Sequence, residues 1–142
     1  MIRSVMATIV KEIVNTPLAP KPIGPYSQAV IADRTMYISG QIGLDPSTGK
    51  LVNGGVTTET KQALQNLSKI LEAAGLSCKN VVKCTVLLKN MDDFSKVNDI
   101  YKDYFPTNSP ARAAYQVAAL PAGAQVEIEA IAVVGEIREK LE

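Results

Sequence analysis

From Thr57 onward, apolar side chains recur at intervals of three and four residues: Ala63, Leu64, Leu67, Ile70, Leu71 and Ala74. That is the period of a helix with one face against a core, and Gly75 supplies its stop. The runs on either side alternate with period two instead, as half-buried strands do. One amphipathic helix set among alternating runs specifies an α+β sheet. The 142 residues suit a single domain over 1–142, and no repeat, low-complexity tract or linker divides them.

Strands are expected at Ile9–Val14, Tyr26–Ala32 and Thr35–Ile42, the last two joined as a hairpin through Asp33-Arg34. Thr16–Pro25 holds four of the eight prolines and reads as an irregular connection. A fourth strand, Val81–Leu88, would place Val82, Cys84, Val86 and Leu88 on one face. A second helix follows the capping run Asn90–Asp93, with Phe94, Val97, Ile100, Tyr101 and Tyr104 at helical spacing, and Pro106 and Pro110 close it. Strands Ala111–Val117 and Val126–Val134 complete the order β-β-β-α-β-α-β-β, with both helices on one face of the sheet. In the last strand Val126, Ile128, Ala130, Ala132 and Val134 share one side, while Glu127, Glu129, Ile131 and Val133 occupy the other. A second face that is partly apolar calls for a cover, and another subunit is the simplest one.

Histidine is absent from the chain. Imidazole bases, Ser-His-Asp and Cys-His nucleophiles and HExxH zinc sites are therefore excluded together. The 15 basic and 14 acidic residues leave a net charge of +1, and their scatter disfavours nucleic acid as a partner. No apolar run approaches the roughly 18–20 residues of a membrane span. Cys78 and Cys84 match no zinc or redox spacing. Cys84 is expected in the core, and reduced thiols suit a reducing compartment. The first residues, 1–8, read as an extension, short for a presequence, with Met6 an alternative start.

The chemistry then falls to Arg, carboxylates, Tyr and backbone amides. Arg112 stands in the small-residue run Ala111-Arg112-Ala113-Ala114, which leaves space for its planar fork to grip a carboxylate. A surface or structural ion pair is the plainer alternative. Glu127 and Glu129 stand roughly 6.6–6.8 Å apart on one strand face. They are either a solvated pair or, if a hairpin joins the two last strands, part of one pocket with Arg112. Ser39-Gly40-Gln41 is a bulge or a place where backbone approaches a ligand. Tyr26 is an aromatic wall or a core residue, and Asn98 either orients substrate or faces solvent. Gly54-Gly55 lacks any GxGxxG or Walker context, which disfavours nucleotide binding.

Several segments together resemble the reactive intermediate deaminases, the Rid/YjgF family, and most closely its RidA branch. They are Ile23–Ala29, Tyr37–Ile42, Asn66–Gly75, Val81–Lys83, Asp93-Phe94, Val97-Asn98, Pro110–Arg112 and Val126–Val133. The resemblance implies a chorismate-mutase-like fold, assembled as a homotrimeric barrel with one pocket at each subunit interface. It implies hydrolysis of small 2-imino acids, such as 2-iminopropanoate and 2-iminobutanoate, to 2-keto acids and ammonia, with no metal or organic cofactor. By position, Arg112 would bind the substrate carboxylate, Glu127 would hold or activate water, and Tyr26, Ser39, Gly40 and Asn98 would line or shape the pocket. The main chain near Ala114 would bond the substrate. Many relatives carry Cys where this chain has Ala114, so a mechanism needing that thiol is excluded here. Two other functions stay open at this point: a non-enzymatic carboxylate-binding or chaperone-like module, and an endoribonuclease or translation inhibitor. Cytoplasm is the expected location, with a mitochondrial or nuclear pool open.

Overall fold

The helical period materialises, in a computed structural model describing residues 8–142, as helix α1, Val56–Ala73. The expected extension over 1–8 lies, but for its last residue, outside the described residues. Ala63, Leu64, Leu67, Ile70 and Leu71 are each 0% exposed. Beyond the helix, Gly75 takes φ +74°. Its N–H donates to Glu72 O, and the Leu76 N–H donates to Leu71 O, both at 2.9 Å. Two otherwise orphaned carbonyls are thereby satisfied, and the left-handed residue costs least as glycine. A Cβ on Gly75 would meet nothing within 4 Å, so only the backbone conformation opposes one. Gly75→Ala should lower unfolding stability by about 1–2 kcal/mol in a denaturant titration, with catalysis unaffected.

The strands are β1 Lys11–Val14, β2 Ala29–Ala32, β3 Thr35–Gln41, β4 Val81–Leu88, β5 Ala111–Gln116 and β6 Val126–Val133, with helix α2, Phe94–Tyr104, between β4 and β5. The expected order of elements holds. They form one sheet in the order β1-β2-β3-β6-β4-β5, in which only β4 and β5 run parallel. The β2–β3 hairpin turns at Asp33-Arg34, with Asp33 at φ +57°. Both helices pack on one face. Leu64, Leu67, Ile70 and Leu71 of α1 and Val97, Ile100 and Tyr101 of α2 share a core with Met36, Cys84, Val86, Ile128 and other strand residues.

Two expectations need correction. The last two strands do not form a hairpin, because β4 lies between them. The α2 crossover delivers β5 to the outer edge of β4, and the chain then straddles the end of β4 to reach its other edge. Val117 N–H donates to Leu88 O at one end of that link, and Lys89 N–H donates to Gln125 O at the other. Val82, in turn, does not share the face of Cys84, Val86 and Leu88. The register slips between Val81 and Lys83, so Val81 turns inward and Val82 is 44% exposed.

Along β6 the burial alternates as its sequence dictates, with Val126, Ile128, Ala130 and Ala132 inside. The opposite face of the sheet has no covering element among the described residues. Tyr37 and Tyr115 are each 52% exposed there, beside half-buried Leu87 and Ile131.

Candidate active site

Arg112 pairs across the β4–β5 ladder with Cys84, so it shares the helix-facing side of the sheet. Because β5 is an edge strand and its neighbours are alanines, the long side chain lies along α2 instead of entering the core. Its guanidinium carbon stands 4.8 Å from the Tyr101 ring centroid and 5.4 Å from that of Phe94. Nη1 donates to Asn98 Oδ1 at 2.8 Å. These three partners, at positions 94, 98 and 101, lie on one face of α2, where spacings of four and three residues bring side chains together.

The ion-pair alternative for Arg112 meets no acid: among the described residues, the only salt bridges are Lys69–Glu72 and Lys102–Asp99. A half-buried guanidinium held by a neutral amide and two π faces keeps its full charge and most of its five donors unspent. A group so placed is free to take an anion. Ala114, two residues on, is also half-buried and faces the same way. The outer edge of β5 has no strand beside it among the described residues.

Glu127 is elsewhere. It pairs with Leu87 in β4 and so lies on the uncovered face, with Glu129 two residues away on the same side. Burial pushes its carboxyl above the ordinary carboxylate range, and the charge of Glu129 adds to the effect. Space for it comes from the bulge between Ile38 and Gln41. A Cβ on Gly40 would fall 2.7 Å from Glu127 Cδ, so any larger residue there would push the carboxylate out of its present place. The close approach admitted by Ser39-Gly40-Gln41 is thus to a carboxylate of the chain itself.

Tyr26 joins Glu127 and Gly40 in one cleft, together with Lys21, Gln28 and Pro121. The Tyr26 ring lies along Gly24, its hydroxyl accepts the Ile23 N–H at 3.2 Å, and it is 45% exposed, a wall and not a core residue. Ser39 does not line the cleft. Its Oγ donates to Ser27 O at 2.6 Å, which ties β3 to the segment bearing Tyr26.

The expected residues therefore fall into two groups, Arg112 with Asn98 and Ala114, and Tyr26 with Gly40, Glu127 and the bracing Ser39. Among the described residues of this chain, Arg112 does not line the cleft that holds Glu127. Their side chains leave opposite faces of the sheet, with β4 between their strands.

Three contributors were not assigned to a site from the sequence. Phe94 and Tyr101 pass for plain core positions, although their spacing from Asn98 carries the signal. Gln28 is the third, buried at the foot of the cleft. Its Nε2 donates to the carbonyls of Thr16, Ala19 and Pro20, and its Oε1 accepts the Thr16 N–H. One side chain thus holds the proline-rich segment in place beneath Tyr26.

The profile of the family described as Endoribonuclease L-PSP matches residues 16–134, which contain every residue of both groups. The chain belongs to this family, YjgF/Rid. Among L-PSP relatives, a mouse protein named 2-iminobutanoate/2-iminopropanoate deaminase is 65% identical over 92% of this chain and 96% of its own length. An Arabidopsis thaliana protein named Reactive Intermediate Deaminase A, chloroplastic, is 49% identical over 89% of this chain and 67% of its own. The solved structure of Escherichia coli TdcF with bound serine is 38% identical, with a TM-score of 0.83 over 87% of this chain and 99% of that one.

Proposed function

We propose that the protein hydrolyses small 2-imino acids to 2-keto acids and ammonia, at sites completed between copies of the chain in a homotrimer. The observation that carries this reading is Arg112, a guanidinium presented at the edge of the sheet with no acidic partner among the described residues. It suits the carboxylate of an imino acid, and a charge-assisted contact of that kind supplies about 1.5–3 kcal/mol. The names of the relatives specify the rest of the substrate, and the serine in TdcF is an α-amino acid of similar size.

A protonated imine is already electrophilic at C2, so a strong nucleophile is unnecessary. Water adds to C2 as Glu127 takes one of its protons, giving a carbinolamine. The carboxyl returns that proton to the nitrogen, and the C–N bond breaks with its electron pair leaving on ammonia. The hydroxyl gives its proton to the freed Glu127 carboxylate as it closes to the keto group, and bulk water or the released ammonia takes it from there. A carboxyl raised by burial is suited to both halves of this exchange. Tyr26 would wall the substrate's side chain, and backbone groups at Ala114 would bond its polar end. The uncovered sheet face, with Tyr37, Tyr115 and Ile131, is the surface that neighbouring copies would bury.

The direct test generates 2-iminobutanoate in situ with a dehydratase and follows ammonia and 2-ketobutyrate. Acceleration over the spontaneous reaction is expected, and its absence would sink the proposal. Glu127→Gln should lower kcat by about 10²–10⁴-fold while leaving keto-acid binding intact. For the native enzyme, kcat/KM should rise with pH through the Glu127 pKa, placing the acid limb above the ordinary carboxylate value of about 4.3. Stability should move the other way. A carboxyl whose folded pKa exceeds its unfolded one binds protons better when folded, so its penalty is absent in acid and complete above the raised pKa. Glu127→Gln should therefore be more stable than the native protein at pH 7, with the gain vanishing in acid.

A carboxylate-binding module would use the same Arg112, and it would survive Glu127→Gln with no activity to lose. For RNA cleavage, which the family's description names, the net charge of +1 offers little phosphate attraction. Two unpaired thiols suit a reducing compartment, and the cytoplasm is our proposed location. Among the described residues no helix is long and apolar enough to cross a membrane.

A further inference from the structure

On the helix side of the molecule, away from the uncovered sheet face, the C-terminal halves of α1 and α2 diverge around a cavity of about 440 Å³. The turn Ser77–Lys79 and the segment Phe105–Thr107 complete its walls, and Glu139 of the C-terminal tail closes one side. The interior is formed by buried Phe105 and half-buried Tyr104, with the hydroxyl of Ser68 lying 3.6 Å from the thiol of Cys78. Burial raises both the Cys78 thiol and the Tyr104 phenol, so each stays neutral at pH 7.

The mouth is charged and one-sided. Exposed Glu72, Asp103 and Glu139 stand there against the single cation Lys79. Glu72 is partly answered by Lys69 at 3.1 Å, and Glu139 accepts a hydrogen bond from Asn108. Asp103 has no cation within ion-pair distance among the described residues. A cavity of this volume, apolar within and carrying a few convergent polar groups, has the character of a small-molecule site. It shares no residue with the Arg112 group or the Glu127 cleft.

We infer that this cavity is a second ligand site, selective for small apolar-bodied amines that are protonated at neutral pH. The ammonium would lie at the mouth by Asp103 and Glu139, with the hydrocarbon body against Tyr104 and Phe105. Opposite charge is what distinguishes the two sites: the Arg112 group selects carboxylates, and this mouth repels them. The inference does not depend on the deaminase reading.

The cysteines make it measurable. Cys84 is 0% exposed, whereas Cys78 is half-buried in the cavity wall, so a thiol reagent on the native full-length chain reports on Cys78. The probes are 2-phenylethylamine and its acidic counterpart of similar shape, 3-phenylpropanoate. Millimolar amine should slow Cys78 modification several-fold and shift the backbone amide resonances of Cys78, Tyr104 and Thr107, while the acid at equal concentration should do neither. Asp103→Asn combined with Glu139→Gln, both exposed and outside the catalytic groups, should weaken amine binding about five- to tenfold and leave imine hydrolysis unchanged. Equal protection by amine and acid would overturn the charge selection. Failure of the amine to protect Cys78, or amide shifts confined to the Arg112 and Glu127 groups, would overturn the site.

Discussion

Arg112→Ala should lower kcat/KM for 2-iminobutanoate by between about tenfold and about 150-fold, the equivalent of one lost charge-assisted contact. Most of the loss should fall on KM, because the carboxylate is bound alike in the ground and transition states. Arg112→Lys keeps the charge but not the planar fork or the stacking on Tyr101 and Phe94, so it should recover only part of the difference. The sharper variant is Asn98→Asp. Asn98 Oδ1 already accepts from Arg112 Nη1 at 2.8 Å. An aspartate there would convert a neutral hold into an ion pair, leaving the fold in place while the substrate's carboxylate competes with a fixed one. Its KM should rise well above that of Asn98→Ala, which removes the hold without adding a charge. Native-like kinetics in Asn98→Asp would show that the guanidinium does not receive the substrate.

This arrangement shows how far local patterns carry. The α1 period, the Gly75 stop and the two faces of β6 were legible because each is a repeat within one segment, and burial follows the repeat directly. The promise of Arg112 was equally local, a long cation among alanines. Strand neighbours are a different kind of information. Alternation in β5 and β6 says which residues share a face of each strand, but not that β4 intervenes. The hairpin that could have brought Arg112 and Glu127 into one pocket therefore stayed open as an alternative, whereas the two lie on opposite sides. Val82 failed for a related reason: a one-residue bulge leaves no composition signal, yet it reverses the facing of what precedes it.

The Glu127 cleft was partly readable. Gly40 announced a close approach without saying to what, and the answer is a side chain 87 positions later in the sequence. Gln28 was unreadable because its role is set by its surroundings. Four prolines in one segment remove four N–H donors, and the carbonyls left over need a donor from elsewhere. A buried amide supplies it to three of them.

The separation of Arg112 from Glu127 also leads to the most discriminating expected result. If each site takes Arg112 from one copy and Glu127 from its neighbour around a closed ring, the two impaired variants complement each other. Arg112→Ala and Glu127→Gln proteins, mixed equally, unfolded and reassembled, would place an intact Arg112 opposite an intact Glu127 at about one interface in four. Assayed with substrate well below KM, where Arg112→Ala retains no more than about a tenth of native activity, the reassembled mixture should therefore recover about a quarter. The same mixture without reassembly should show no more than the average of the two variants, and a protein carrying both substitutions should show less still. A site built within one subunit predicts no recovery at any mixing ratio, since every copy would lack one of its two groups. Sedimentation of the reassembled mixture as a trimer, with no recovered activity, would leave the assembly standing and move the site back inside the subunit. Against that stands the sheet itself, which sends the two side chains from opposite faces. A carboxylate held at the edge of one copy can meet the raised carboxyl of another only if the uncovered face and the β5 edge of neighbouring copies come together.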